Sequence, residues 1–271
     1  MLKRFTVVLT LLTLLVVGAG PAEAITDGDL DGGGHPYVGL MIAKGADGNA
    51  MWRCSGTLLS PTLFLTAGHC TEAPAVTAMV WFTDNVPLGS GGTPGNLCNT
   101  GRVGYPCTGG VSGTPNTHPL YDPNRFYYRD LGLVVLDSPV SMPSYGVLPT
   151  ADQSDALKPS RATTFTAVGY GLQKAFPSAA GWKTQAQRTR MVAYPHLVQI
   201  NTGFTGDFSL LLSNNANTGG TCFGDSGGPN FYGSSNVIAG VTSYGLNGTC
   251  AGTGGVYRLD RSWNLSWLAG F

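Results

Sequence analysis

The chain has 271 residues, with 15 basic and 15 acidic side chains that leave no net charge at pH 7, and only 11% of its positions are charged. That balance gives no electrostatic footprint for nucleic acid or another polyanion. Forty glycines argue against a helical bundle and for a loop-rich, all-β globule, and the length suits one large core or two small ones.

In chain order, Lys3 and Arg4 precede an apolar run from Phe5 to Gly20 that closes on Ala22-Glu-Ala24. A basic start, a short apolar stretch and small residues at the two cleavage positions predict a secretory signal peptide over 1–24. The run is shorter than the roughly 20 apolar residues a membrane-spanning helix needs. The mature chain is therefore expected to start at Ile25, to be secreted to the extracellular space and to have no membrane attachment.

From Tyr37 onward, short apolar runs alternate with Gly, Pro, Asn and Asp breaks, the strand-and-turn pattern of barrels and sandwiches. Strands are predicted over 37–42, 51–59 and 63–67, with Ser60-Pro61 turning a hairpin, and over 76–82. Residues 84–117, poor in hydrophobics and rich in Gly, Pro, Thr and Asn, read as a long surface excursion. An apolar strand follows Asp130, and residues 138–160, with four prolines, form a crossing to the second half. There, strands are predicted over 164–170, 187–192, 196–200, 208–212, 236–245 and 254–259. The close of the chain places Trp263, Trp267 and Leu268 at helical spacing, which predicts a terminal helix whose tryptophans are core.

Three short blocks carry chemistry. Leu63-Phe-Leu-Thr-Ala-Gly-His-Cys70 is an apolar strand entering a tight turn closed by cysteine, and it presents His69. Arg129-Asp-Leu-Gly-Leu-Val-Val-Leu-Asp137 sets an acid, Asp130, at the head of a strand too apolar to be exposed. Thr221-Cys-Phe-Gly-Asp-Ser-Gly-Gly-Pro229 flanks Ser226 with glycines, which hold a small nucleophile out into a cleft. The amides of Gly224 and Ser226 can aim at one point, where an oxygen becomes negative during attack on a carbonyl. Asp225 cannot easily be buried unpaired. A serine hydroxyl needs an adjacent base, itself oriented by a third group. Among the four histidines only His69 has a suitable context. His35, His118 and His196 read as solvated loop residues, and Asp137 as a strand-end cap. No Cys-x-x-Cys or His-x-x-x-His spacing suggests zinc and no Gly-rich loop ends in Lys-Ser or Lys-Thr, so no metal or nucleotide cofactor is expected.

In the order His, Asp, Ser, these blocks resemble the chymotrypsin-like serine proteases of the trypsin superfamily. The resemblance implies two six-stranded antiparallel Greek-key barrels with the active site in the cleft between them, followed by a short C-terminal helix. The barrels would span 25–145, including the long loop 84–117, and 146–258, with the helix over 259–271. The family's chemistry makes His69, Asp130 and Ser226 a catalytic triad and the amides of Gly224 and Ser226 the oxyanion hole of a serine endopeptidase. It implies a monomer acting on protein or peptide substrates and open to proteinaceous inhibitors.

By the same likeness Ser243 supports Asp130, and the backbone of Ser243, Tyr244 and Gly245 pairs with an extended substrate. Gly220 falls at the floor of the specificity pocket with Thr221 beside it, Gly245 and Gly255 on its walls and Phe223 at its rim. With no carboxylate at the floor, a buried lysine or arginine would lack an ion partner, so cleavage after bulky apolar residues is expected. An elastase-like or broad preference is the alternative, and a catalytically silent relative that binds a partner through the cleft is the reading from another class. The family pairs a free N-terminal ammonium with the acid before the serine, here Ile25 with Asp225, although Ile25-Thr-Asp-Gly28 departs from the usual Ile-Val-Gly-Gly. Six cysteines in an exported chain suggest three disulfides. The resemblance and position imply Cys54 with Cys70 and Cys222 with Cys250, leaving Cys98 and Cys107 to staple the excursion. Asn247-Gly-Thr and Asn264-Leu-Ser are sequons that a glycosylating host could use.

Overall fold

The structure, a computed structural model, describes residues 25–87, 105–106, 108–175 and 187–271. The predicted signal peptide and the cysteines Cys98 and Cys107 lie outside the described residues.

Six strands close the first barrel: β2 (Val38–Lys44), β3 (Ala50–Leu58), β4 (Leu63–Thr66), β5 (Thr77–Trp81), β6 (Val111–Thr117) and β7 (Gly132–Leu136), in the order β2-β3-β4-β7-β6-β5. Every pairing is antiparallel. β6 corrects the expected excursion, whose last seven residues are a barrel strand. Composition hides it because its contribution is backbone rather than apolar side chains. Gly113 is the residue it buries, and a Cβ there would lie 2.6 Å from both Val134 Cγ1 and the Val135 carbonyl.

The second barrel uses β8 (Ser160–Gly169), β10 (His196–Thr202), β11 (Gly206–Asn214), β14 (Gly252–Arg258), β13 (Ile238–Gly245) and β12 (Pro229–Tyr232), and β12 pairs back onto β8 to close it. β12 was not expected, since it opens with a proline directly after the Ser226 loop; Pro229 stands at its first position, where a strand tolerates one. The strand expected over 187–192 is displaced to β9 (Met191–Ala193), which flanks β8. The start of the described chain belongs to this second sheet. β1 (Asp29–Leu30) pairs with β9, and Thr26 bridges Gly220. The terminal helix α2 (Ser262–Leu268) instead sends Leu268 and Trp267 into the core shared with the first barrel.

The second barrel has a small core of its own around Phe165, Leu197, Leu210 and Val256, but the main core is shared. One apolar cluster runs from Leu40, Phe64 and Leu133 in the first barrel to Tyr170, Phe231, Val241 and Tyr257 in the second. Across the same junction lies Arg190, 2% exposed, whose Nε donates to Asp31 at 2.8 Å and whose Nη1 donates to Phe82 O at 2.9 Å, Val38 O at 3.1 Å and Tyr170 Oη at 3.1 Å. Its Nη2 meets Asp84. A buried cation with all three nitrogens engaged fixes the relative position of the two barrels, because removing it strands the carboxylates and carbonyls it serves.

The two sequons differ. Asn264 is fully buried, with Oδ1 accepting from the Tyr257 hydroxyl and Nδ2 donating to Arg258 O, so folding closes it to glycosylation, whereas Asn247 is exposed.

Replacing Arg190 with Met should cost about 3–5 kcal/mol of unfolding free energy, read as a lowered denaturation midpoint; a midpoint unchanged from the parent would show that the apolar junction alone sets the barrel packing.

Candidate active site

β4 runs into the single turn α1 (Gly68–Thr71), which presents His69 at the cleft. The Cys54–Cys70 disulfide ties this turn to β3, and Trp52 Nε1 donates to Cys70 O at 2.8 Å. From the facing strand comes Asp130, fully buried, after Arg129 turns the chain with φ of +59°. Its carboxylate accepts from His69 N at 2.9 Å, from His69 Nδ1 at 2.9 and 3.1 Å, and from Ser243 Oγ at 2.6 Å. A proton on Nδ1 held by the carboxylate leaves Nε2 as the lone-pair nitrogen. Burial lowers the pKa of His69, but the charge and hydrogen bond of Asp130 outweigh that effect and raise it above the ordinary value.

Ser226 sits in a loop closed by the Cys222–Cys250 disulfide. Each carbonyl around it is occupied: Phe223 O accepts from Leu172 N, Gly224 O from Ser55 Oγ, Asp225 O from Gly228 N and Ser226 O from Ser55 N. With the carbonyls turned into the protein, the amides of Gly224 and Ser226 are left over. Among the described residues they donate to no protein acceptor. Gly224, at φ of +97°, adopts a conformation that an L side chain rarely takes. The Ser226 hydroxyl makes no hydrogen bond among the described residues, and it lines the same cavities as His69. Asp225 beneath it is fully buried, with its oxygens receiving Gly171 N at 2.7 Å and Cys222 N at 2.8 Å, and burial raises its pKa to about 7.

Two cavities meet at His69, Phe223 and Ser226. One, of 350 Å³, is lined by Phe126, Thr221, Ser243, Tyr244 and Gly245 besides these three. The other, of 330 Å³, adds Trp52, Arg53, Tyr105, Leu172 and Gly224. Larger depressions of 660 and 610 Å³ touch neither His69 nor Ser226.

Of the expected pocket residues, Thr221, Ser243, Tyr244 and Gly245 line the first cavity, while Gly220 and Gly255 do not. The space those two glycines leave is already taken. A Cβ on Gly255 would lie 2.2 Å from Cζ of Tyr244, and one on Gly220 would lie 2.2 Å from Cγ of Asn214, whose Nδ2 donates to Thr221 O. Phe223, 44% exposed, stands where the two cavities join. Sequence reasoning missed Phe126, which meets the His69 ring edge-on at 6.3 Å. It also missed Arg53. The aromatic run Phe126-Tyr-Tyr128 was the visible signal for the first, and nothing local signalled the second.

Two other histidines depart from expectation. His118 is buried rather than solvated, 5.1 Å from the Trp267 ring, with Nδ1 accepting from Leu120 N and burial lowering its pKa to about 4. His35 binds Asp31 through Nδ1 and stacks on Phe231. Cys54, His69 and Cys70 lie close enough to suggest a metal site, but both sulfurs are spent in the disulfide and offer no thiolate. No helix among the described residues is long and apolar enough to cross a membrane.

The family model described as Trypsin matches residues 107–262, more than half of the chain. The chain belongs to the trypsin family. Among its trypsin-family relatives, the CLIP domain-containing serine protease B10 of Anopheles gambiae is 28% identical over 249 residues, covering 86% of this chain but 65% of the relative, just under two thirds of its length. Trypsin iota of Drosophila melanogaster is 25% identical over 93% of this chain and 92% of its own, and Glucanase inhibitor protein 1 of Phytophthora sojae is 27% identical over 90% of each. The fold is that of a solved HL collagenase structure, with a TM-score of 0.67 at 18% identity over 91% of this chain and 97% of the other. The trypsin-family fold thus accounts for both barrels and for the cleft that His69 and Ser226 both line.

The raised pKa of His69 means that its pair with Asp130 stabilises the fold below the ordinary histidine value of 6.5 and ceases to do so as pH rises through the folded value. A proton NMR titration should place His69 above 6.5, and Asp130→Asn should remove that elevation; a wild-type value at or below 6.5 would contradict the assignment.

Proposed function

We propose that this protein is an exported serine endopeptidase that cleaves peptide bonds through an acyl-enzyme, with His69, Asp130 and Ser226 as its triad. The observation that carries this reading is the directed imidazole. Asp130 binds Nδ1, which leaves Nε2 free on a residue that lines the same cavity as Ser226, whose loop carries two amides with no acceptor among the described residues. In that arrangement His69 accepts the hydroxyl proton as Ser226 Oγ bonds to the carbonyl carbon. The oxyanion then rests on the amides of Gly224 and Ser226. His69 next protonates the leaving amine, the C–N bond breaks, and water repeats the sequence to release the acid. The first barrel supplies His69 and Asp130 and the second supplies Ser226, consistent with a boundary near residue 145.

The acyl half of the substrate is assigned to the 350 Å³ cavity, whose lining carries no charge apart from His69. That supports a preference for bulky apolar residues before the cleaved bond. Phe126 and Tyr244 add apolar surface on the same side. The Phytophthora sojae relative is named for inhibiting a glucanase, which keeps a binding role as the second reading. The complete His-Asp-Ser set favours hydrolysis.

Removal of residues 1–24 would give Ile25 an α-ammonium. Ile25 is fully buried among Ala167, Met191 and Ala193, and its neighbour Thr26 pairs with Gly220, five residues before Asp225. An ammonium there supplies the counter-ion that the Asp225 carboxylate lacks. Without it, an acid whose pKa is raised to about 7 favours its protonated form, and the fold loses stability as pH climbs from 3.8 towards 7.

Ser226→Ala should lower kcat by at least about a thousandfold with the fold intact and abolish labelling by a serine-directed phosphonate, while the parent cleaves peptides with Phe before the bond at least about tenfold better than those with Arg. Unlabelled parent protein favours the binding role, and an Arg preference overturns the pocket assignment. Chain retaining a residue before Ile25 should stay folded but inactive and lose stability between pH 4 and 7, whereas the processed chain keeps stability there and loses activity only as the ammonium deprotonates at alkaline pH. Equal activity of the two forms would remove Ile25 from the mechanism.

A further inference from the structure

The 330 Å³ cavity shares His69, Phe223 and Ser226 with the 350 Å³ one but includes none of the strand edge Ser243–Gly245. On the proposed reading it receives the leaving-group half of the substrate. Its walls are aromatic and aliphatic, from Trp52, Tyr105, Leu172 and Phe223, with one full positive charge set into them. That charge is Arg53, 7% exposed.

Only one arm of this guanidinium is engaged. Nη1 donates to Gln187 O at 2.9 Å, whereas Nε and Nη2 donate to no acceptor among the described residues. Those two groups lie against the bare Cα of Gly224, where a Cβ would be 3.2 and 3.0 Å from them. They therefore sit within one residue's reach of the reacting carbonyl. A fork of adjacent N–H groups with no acceptor has the geometry that takes a carboxylate in two parallel hydrogen bonds.

Among the described residues no carboxylate fills that role. Arg53 forms no ion pair among the described residues, and the segments 88–104 and 176–186 contain no Asp or Glu. Asp225 is the acid that acts on it through space, but its oxygens are occupied by Gly171 N and Cys222 N. The other charged or titratable neighbours are Tyr105 and Arg188, and the second cation disfavours the charge on Arg53 further. Burial lowers its pKa to about 10, so Arg53 remains a cation at neutral pH, with Asp225 acting only through space and no ion pair among the described residues. A desolvated, unpaired charge is costly to keep, and a substrate anion would offset that cost.

We propose that Arg53 is a specificity-determining residue that binds a carboxylate on the leaving-group side, either an Asp or Glu side chain within two residues after the cleaved bond or a free C-terminal carboxylate at that distance. The prime-side cavity then accepts acidic peptides and discriminates against basic ones, independently of the residue chosen on the acyl side.

The test uses internally quenched peptides with Phe before the bond and Glu, Gln or Lys at the first and second positions after it, ending in an amide distant from the site. A further pair of short peptides ends two residues after the bond as free acid or amide. Wild type should favour Glu over Gln in kcat/KM by at least about tenfold at one of the two positions, the size expected of a charge-assisted pair. The preference should shrink as salt rises. Arg53→Gln should bring the Glu to Gln ratio to near one, Arg53→Glu should turn the preference towards Lys, and Arg53→Lys should retain part of it. The free-acid and amide pair tells the two carboxylate sources apart. A wild-type ratio of one on both positions and on the short pair overturns the inference while leaving the protease reading intact. So does a ratio unchanged in Arg53→Gln, which would make the residue a brace for the Gln187 carbonyl. Chain that cleaves none of the peptides and takes no serine reagent fails both readings together. Should Arg53→Gln not fold, the Arg53→Lys ratio and the salt dependence of the wild type decide.

Discussion

The organisation of the cleft depends on one buried carboxylate. Asp130 has no contact with solvent and is satisfied by donors from two other parts of the chain, the amide and ring of His69 in the first barrel and the hydroxyl of Ser243 in the second. A charged oxygen pair in a low-dielectric site tolerates little displacement of its partners, because each hydrogen bond lost leaves the charge exposed to apolar surroundings. The carboxylate therefore sets three things together: the tautomer of the imidazole, the position of the α1 turn, and the seating of β13 against the first barrel. On the proposed reading, the chemistry at Ser226 would follow from that single solvation requirement.

Around it, the two flanks of the nucleophile are built differently. On one side an exposed strand edge and aromatic rings offer generic contacts to an extended chain. On the other, Trp52 and Tyr105 enclose an arginine with spare donors. Phe223, carried on the nucleophile loop itself, divides the two, and its carbonyl is held by Leu172 so that the amides beside it stay free for an incoming oxygen. The loop's positive-φ glycines make this possible: a side chain at Gly224 would meet the guanidinium of Arg53 at about van der Waals contact or closer.

Much of this could be read from the amino-acid order, and the failures share a cause. His69, Asp130 and Ser226 each sit in a block whose local pattern of apolar strand, turn and glycine already announces the side chain's exposure and surroundings. The barrel strands with apolar alternation were visible for the same reason. What stayed hidden was decided by distant neighbours. His118 is buried by Trp267, from the far end of the chain. Gly220 and Gly255 look like open pocket walls until Asn214 and Tyr244 fill the space they leave. β6 is held by its backbone and carries few apolar residues, so hydrophobic periodicity could not register it. Arg53 is one more polar residue in a strand until it is known that no acid among the described residues forms an ion pair with it.

The shared core and the Arg190 clamp have a further consequence for what can be cut. Two barrels that share a core cluster and a buried arginine resist opening of the groove between them around a bulky guest. On the proposed protease reading, a polypeptide would have to come to it already straightened, offering several residues in extended form to the edge of β13. Helices and sheet interiors would be spared, and susceptibility would track how readily a target lets a loop or a frayed tail be drawn out. Selection would thus rest as much on the victim's local unfolding as on its sequence.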